Sequence, residues 1–109
     1  MPTDADWATL TDYLGGESVA GGKLKEGGVA HWISPNTLAT NEVGFSALPG
    51  GYHNSNGSFN LIGEFGRWWS STEIDSQGAS YQIIGYESGA IGTSGNLKKS
   101  GFSVRCVKD

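Results

Sequence analysis

The chain has 109 residues, a formal net charge of −4 and a hydrophobic share of 37%, which suits one domain with a single modest core. Its pI near 5.0 leaves no basic surface for a phosphate backbone, so nucleic acid is excluded as an expected partner. A charged share of only 17% and 18 glycines speak against a disordered charged tail and for short elements joined by turns.

Met1-Pro2-Thr3-Asp4 has neither a basic start nor an apolar stretch, so it does not read as a signal peptide. Thr3 is placed as a helix N-cap, with Asp4 and Asp6 in the first turn where negative charge suits the helix dipole. Trp7, Leu10 and Leu14 recur at helical spacing, and Gly15-Gly16 stops the pattern, which predicts a helix over residues 4–14. A second helix over 17–25 would bring Val19, Ala20 and Leu24 to one face, although Gly21-Gly22 weakens it.

Turn signals then take over at Gly27-Gly28 and Ser34-Pro35-Asn36. A short apolar segment at 45–48 is stopped by Pro49-Gly50-Gly51. Residues 53–60 form a polar loop with Asn56-Gly57 as its expected turn. The last third reads as strands over 67–72, 80–86, 90–93 and 102–107, with turns at Ser88-Gly89 and Ser94-Gly95-Asn96. In the last strand Phe102, Val104 and Cys106 alternate toward the core. Ile83 and Ile84 cannot both face that core in a regular strand, and the sequence leaves open which one does. Helices first and an antiparallel meander last predict an α+β class in one domain over 1–109. No apolar run approaches the roughly 20 residues that a membrane span needs.

Four stretches carry a resemblance: Pro2-Thr3-Asp4-Ala5-Asp6-Trp7, the block from Asn41 through Gly44-Phe45-Ser46-Ala47-Leu48-Pro49-Gly50-Gly51 to Tyr52, Trp68-Trp69-Ser70-Ser71-Thr72-Glu73, and Gly101-Phe102-Ser103-Val104-Arg105-Cys106-Val107. In order and spacing they resemble the Fibrobacter succinogenes major paralogous domain. The resemblance implies a C-type-lectin-like fold, shared with formylglycine-generating enzymes and variable receptor domains. It also implies a bacterial protein that is secreted or held at the cell surface. Relatives carry a strand-rich segment before Pro-Thr-Asp, and here Met1 stands directly before Pro2. The chain is therefore expected to lack the family's N-terminal strand segment and the cysteine that would face Cys106. A sheet without its closing strand exposes an edge, so the expectation is either a homodimer that buries the gap or a reduced sheet held by the tryptophans, with the dimer preferred.

Candidate chemistry is sparse. Cys106 is the single cysteine, so neither an intrachain disulfide nor a cysteine-based zinc site can form. At a core-facing position it reads as a small hydrophobe. His31 and His53 lie far apart, and no nucleophile-elbow or phosphate-loop pattern is present. Asn41, Glu42 and Glu64 could offer oxygens to a hard cation, yet Asn41 reads better as a turn-former and Glu42 as a solvated charge. No metal and no cofactor is expected. Of Trp68-Trp69, one ring should fill the core and the other lie nearer the surface. The loop 53–60 is dense in amides and hydroxyls around an aromatic, which suits polar ligands and ordinary turns equally.

The resulting expectation is a non-catalytic, extracellular binding or display module for a glycan or a protein. Its recognition surface is placed on residues 74–96, as in the related variable receptors. Asp75, Gln77, Gln82, Glu87 and Asn96 are the polar contacts, with Tyr86 or Trp68 as a stacking platform. A rival reading is an enzyme of the formylglycine-generating type, since Gly66-Arg67-Trp68-Trp69 is distantly similar to a Gly-Asn-Val-Trp-Glu-Trp stretch there. That chemistry rests on a cysteine pair, which one cysteine cannot supply. A third reading is a structural or adhesive domain whose function is assembly.

Overall fold

A computed structural model describes residues 2–53, 58–98 and 100–105. Helix α1 spans Asp4–Tyr13 and α2 spans Glu17–Leu24. The strands are β1, Tyr52–His53; β2, Phe59–Asn60; β3, Phe65–Glu73; β4, Gly78–Gly85; and β5, Ile91–Leu97. The class is α+β, and all strand pairings between these elements are antiparallel.

The capping signal at the start of α1 is complete. The Thr3 hydroxyl accepts from the Asp6 backbone N–H at 3.1 Å, and the Asp6 carboxylate accepts from the Thr3 N–H at 3.0 Å. This end is tied to β3 where the Asp4 N–H donates to the Thr72 hydroxyl at 2.8 Å and the Ser71 N–H donates to the Pro2 carbonyl at 2.8 Å. The helix stops because Gly15 and Gly16 adopt φ of 104° and 107°, a region that side chains disfavour. Lys23 then caps the Leu14 carbonyl with its ammonium at 2.7 Å.

In α2, Gly21-Gly22 weakens the helix intrinsically but lets it pack close. A Cβ on Gly21 would collide with the Ala90 carbonyl oxygen, and one on Gly22 with that of Leu38. The Gly22 N–H instead donates to the Gly89 carbonyl at 2.9 Å, and the Gly22 carbonyl accepts from Thr40 at 2.9 Å. Glycine thus gives up helix propensity for close backbone contact at this crossing.

The main sheet runs β3-β4-β5. Trp68 lies opposite Gln82, and Ile84 opposite Ile91. The two-residue period puts Gly66, Trp68, Ser70, Gln82 and Ile84 on the helix-covered face. There Trp68 and Ile84 join Trp7, Leu14, Ala20, Leu24, Trp32, Ala47 and Ile91 in the core. Ile84 is 1% exposed and Ile83 half-buried, so Ile84 is the core-facing member of that pair.

Two expectations about the last third are corrected. Ser94-Gly95-Asn96 is not a turn but continues β5 opposite Tyr81, Ser80 and Ala79. Thr93, Ser94 and Gly95 run along the exposed sheet edge, where small polar residues are tolerated without a turn. Nor do the described residues 102–105 extend as an alternating strand. Over 100–105 the described chain pairs only through single bridges, Gly101 with His53 and Ser103 with Trp68, and Val104 is 52% exposed rather than core-facing. Phe102 turns instead toward the aromatic face described below. Cys106 lies outside the described residues, as does the Asn56-Gly57 turn.

The sheet's two edges are treated differently. Along β3, the N–H groups of Gly51 and Ser103 donate to the carbonyls of Phe65 and Arg67 at 2.8 and 3.0 Å, and the Trp69 N–H donates to the Ser103 carbonyl at 3.1 Å. Along β5, residues 92–95 make no backbone–backbone hydrogen bond beyond their ladder to β4 among the described residues.

Candidate functional site

The residues singled out in the sequence do not converge. Asp75 and Gln77 lie at the β3–β4 turn, where the Asp75 carboxylate accepts from the N–H groups of Gln77 and Gly78, both at 2.8 Å. Asn96 pairs with Ala79 near that end. Tyr86 and Glu87 lie beyond the other end of β4, roughly 25 Å away at strand rise, and are joined by a 2.8 Å hydrogen bond from the phenol to the carboxylate. That bond, with desolvation and the nearby Glu87 and Glu64 charges, raises the Tyr86 pKa. Gln82 is buried between, facing α1, and donates to the Thr93 hydroxyl at 2.9 Å. Trp68 is 5% exposed and edge-on to Phe45 at 6.4 Å. Its place in the core removes it as a stacking platform, because its ring is already covered by protein.

The opposite face of the sheet holds what the sequence did not assemble. Strand alternation sends Arg67 and Trp69 of β3 and Tyr81 of β4 away from the helices. Tyr52 comes from β1 and Phe102 from the segment bridged to β3. The Phe102 ring lies 4.3 Å from that of Trp69, 4.7 Å from that of Tyr81 and 6.0 Å from that of Tyr52. The Tyr81 and Tyr52 separations fall within the range where aromatic pairs attract, and the Trp69 ring sits slightly closer. The Arg67 guanidinium stacks on Tyr52 at 4.1 Å, with Tyr81 at 5.3 Å and Phe102 at 5.8 Å.

Beside this cluster opens a cleft of about 290 Å³, with Tyr52, His53, Phe59 and Phe102 among its walls. Its shape depends on glycine. Gly51 sits at φ 61°, where a Cβ would also collide with the Asn60 carbonyl oxygen. Gly101 and His53 exchange two backbone hydrogen bonds of 2.7 Å, and a Cβ on Gly101 would press on the His53 side chain. The β1–β2 pair holds Phe59 over the cleft, 71% exposed and edge-on to His53 at 4.7 Å. The described lining carries one imidazole, the hydroxyls of Tyr52 and Ser103 and no carboxylate, and no hydrogen bond joins His53 to Ser103 among the described residues. Such a surface offers flat apolar rings and backbone polar groups, which suits binding.

Other polar centres do structural work. Lys25 is fully buried, and its ammonium donates to the carbonyls of Thr37, Gly85 and Ser88 at 2.8, 3.0 and 2.9 Å. Burial pulls its pKa from 10.5 down to about 8, against three acceptors that favour the charged form. The ion lies 5.5 Å from the Trp32 ring, whose N–H donates to the Ala47 carbonyl at 2.9 Å. Lys25 therefore fastens the end of α2 to two loops. His31 contacts Glu26 at 2.8 Å on the surface. Asn41 closes a turn, accepting from the Ser46 N–H at 2.7 Å and donating to its hydroxyl at 2.9 Å. Among the described residues no three His, Cys, Asp or Glu side chains are gathered to hold a metal ion.

A family model described as the Fibrobacter succinogenes major domain matches residues 1–108. The chain belongs to that family. No significant match is found among curated proteins or solved structures. Within this family member, the motif blocks have clear structural duties. Pro2 through Trp7 anchors α1 to β3, the segment ending at Tyr52 supplies Phe45 and the cleft wall, and Phe102 reaches across β3 to complete the aromatic cluster.

Proposed function

We propose that this family member is a non-catalytic binding module of a bacterial surface or secreted protein, with a C-type-lectin-like fold, and that it takes a saccharide at the aromatic cleft. The observation that carries the reading is the cleft itself: four aromatic side chains around a glycine-shaped backbone, with no carboxylate in its described lining. Sugars present apolar ring faces and hydroxyl rims, and such a wall meets both. The extracellular location rests on the family likeness and on the glycine-rich, weakly charged composition. No helix among the described residues is long and apolar enough to cross a membrane. An enzyme of the formylglycine-generating type is disfavoured by the single cysteine, and fold likeness alone does not carry chemistry.

The test is a broad glycan array followed by calorimetry on Phe59→Ala. Phe59 is exposed, so its loss leaves stability within about 0.5 kcal/mol. Its loss weakens binding by roughly fivefold, since one stacked ring is worth about 1 kcal/mol. Unchanged affinity would move the site away from this cleft.

Assembly is the second reading, favoured by the β5 edge. Residues 92–95 carry no charge and no proline, the usual protections against strand addition. Pairing of this edge with a second copy would make a homodimer. Analytical ultracentrifugation of wild type and Ser94→Lys checks it: a dimer that the lysine splits is expected, and a wild-type monomer at high concentration sinks it.

A further inference from the structure

We infer that the saccharide is acidic and that Arg67 receives its carboxylate, an inference that rests on the binding reading above. The described cations differ in how they are satisfied. Lys23 donates to the Leu14 carbonyl, Lys25 to three carbonyls and Lys98 to Glu73 at 2.7 Å. Arg105 is exposed over Phe45 at 4.0 Å and open to solvent. Arg67 alone among them is half-buried with no hydrogen bond and no ion pair, and its Nε is enclosed without an acceptor.

An enclosed guanidinium N–H without an acceptor is unfavourable. Cation–π contact offsets part of that cost without supplying an acceptor. Arg67 is not itself in the cleft lining but leans on Tyr52 and Phe102, two of the four rings that wall it. A sugar stacked there would lie beside a cation held in place before binding. The guanidinium fork matches a carboxylate through two parallel hydrogen bonds. Among the described residues no carboxylate pairs with Arg67, since the ion pairs are His31 with Glu26 and Lys98 with Glu73. The complement is an anion carried on a ring, and a uronic-acid unit of an acidic polysaccharide has that form. It would be bound as the anion, without bond making or breaking.

The experiment measures calorimetric binding of the whole chain to oligogalacturonate, to its fully methyl-esterified form and to a neutral cello-oligosaccharide. The ester keeps ring and length and removes only charge. Oligogalacturonate is expected to bind about tenfold or more tightly than its ester, the scale of a charge-assisted pair, and to weaken as salt rises. Arg67→Gln should bring acid and ester to the same affinity. The ester and salt arms use the wild-type chain, so they decide the matter even if Arg67→Gln fails to fold. Equal binding of acid and ester, or binding of the neutral sugar alone, overturns the role of Arg67 and leaves the cleft as a saccharide site. No binding of any of the three overturns the acidic ligand, and silence across the glycan array as well removes the saccharide reading itself.

Discussion

The two faces of the three-stranded sheet use the same aromatic residue types to different ends. On the helix side, Trp68 packs with Trp7, Trp32, Leu24 and Ile84 in a closed core. On the other side, Trp69, Tyr81 and Tyr52 gather around Phe102, with Arg67 stacked on Tyr52 and an open cleft alongside. Trp68 and Trp69 are neighbours in sequence, and strand alternation alone sends them to opposite fates. The lesson is that one aromatic-rich strand can anchor a core and furnish a binding face at once.

The largest expected effect tests this split. Trp68→Ala should destabilise the fold by about 3–5 kcal/mol, the range for emptying a buried aromatic site. Trp69→Ala should cost clearly less, because its ring is half-buried and its partners can settle into part of the space. Urea denaturation of both variants checks the order. Equal losses would mean that the two faces are one core, and that the aromatic face has no freedom to serve a ligand.

Lys25 sharpens the comparison from the rim of the helix side. Lys25→Met fills similar volume and leaves three carbonyls without their donor, which should cost on the order of 3 kcal/mol at neutral pH. The pH dependence has a definite sign. With a folded pKa of about 8 against 10.5 in the unfolded chain, the folded state releases this proton first. Between those values the unfolded state binds more protons, so this group's contribution to stability rises with pH. The gap between wild type and Lys25→Met should therefore widen from pH 8 toward 10.5 in parallel urea titrations. A gap that stays flat over that window and narrows only above it would show that the three carbonyls outweigh burial and hold the ammonium charged.

Much of the fold was legible because local rules and packing agree. Thr3 with Asp6 announced the start of α1, and Gly15-Gly16 its end. The adjacent tryptophans had to point to opposite faces. The β5 extension was not legible, because Ser94-Gly95-Asn96 has turn composition and only its ladder to β4 makes it strand. The cleft was harder still. Its walls come from β1, β2 and the segment around Phe102, brought together by single bridges such as His53 with Gly101. Such long-range pairs leave no periodic trace. The loop 53–60 carried the one usable signal, polar groups around Phe59, and that signal fits an ordinary turn equally well. Polar variety in 74–96 misled for a related reason: Gln82 looks available in a list of residues but faces α1 in the sheet.

The smallest expected effect concerns the two ends of β4, where the sequence had placed recognition. Asp75→Asn retains a carbonyl oxygen that can still accept from Gln77 and Gly78, the bonds that hold this turn. Glu87→Gln retains an acceptor for the Tyr86 phenol. Neither residue reaches the aromatic cleft, so both variants should bind any ligand of that cleft with wild-type affinity and melt within about 0.5 kcal/mol of wild type. Glu87→Gln has one distinctive consequence. The hydrogen bond to the Glu87 carboxylate is the main cause of the raised Tyr86 pKa, and its charge adds to that shift. Removing the charge lets the phenol ionise at lower pH, which an ultraviolet titration in the alkaline range would read as a downward step for one tyrosine. If that step appears while binding falls, the ligand contacts the Tyr86 end of β4 after all, and the recognition surface spreads beyond the cleft.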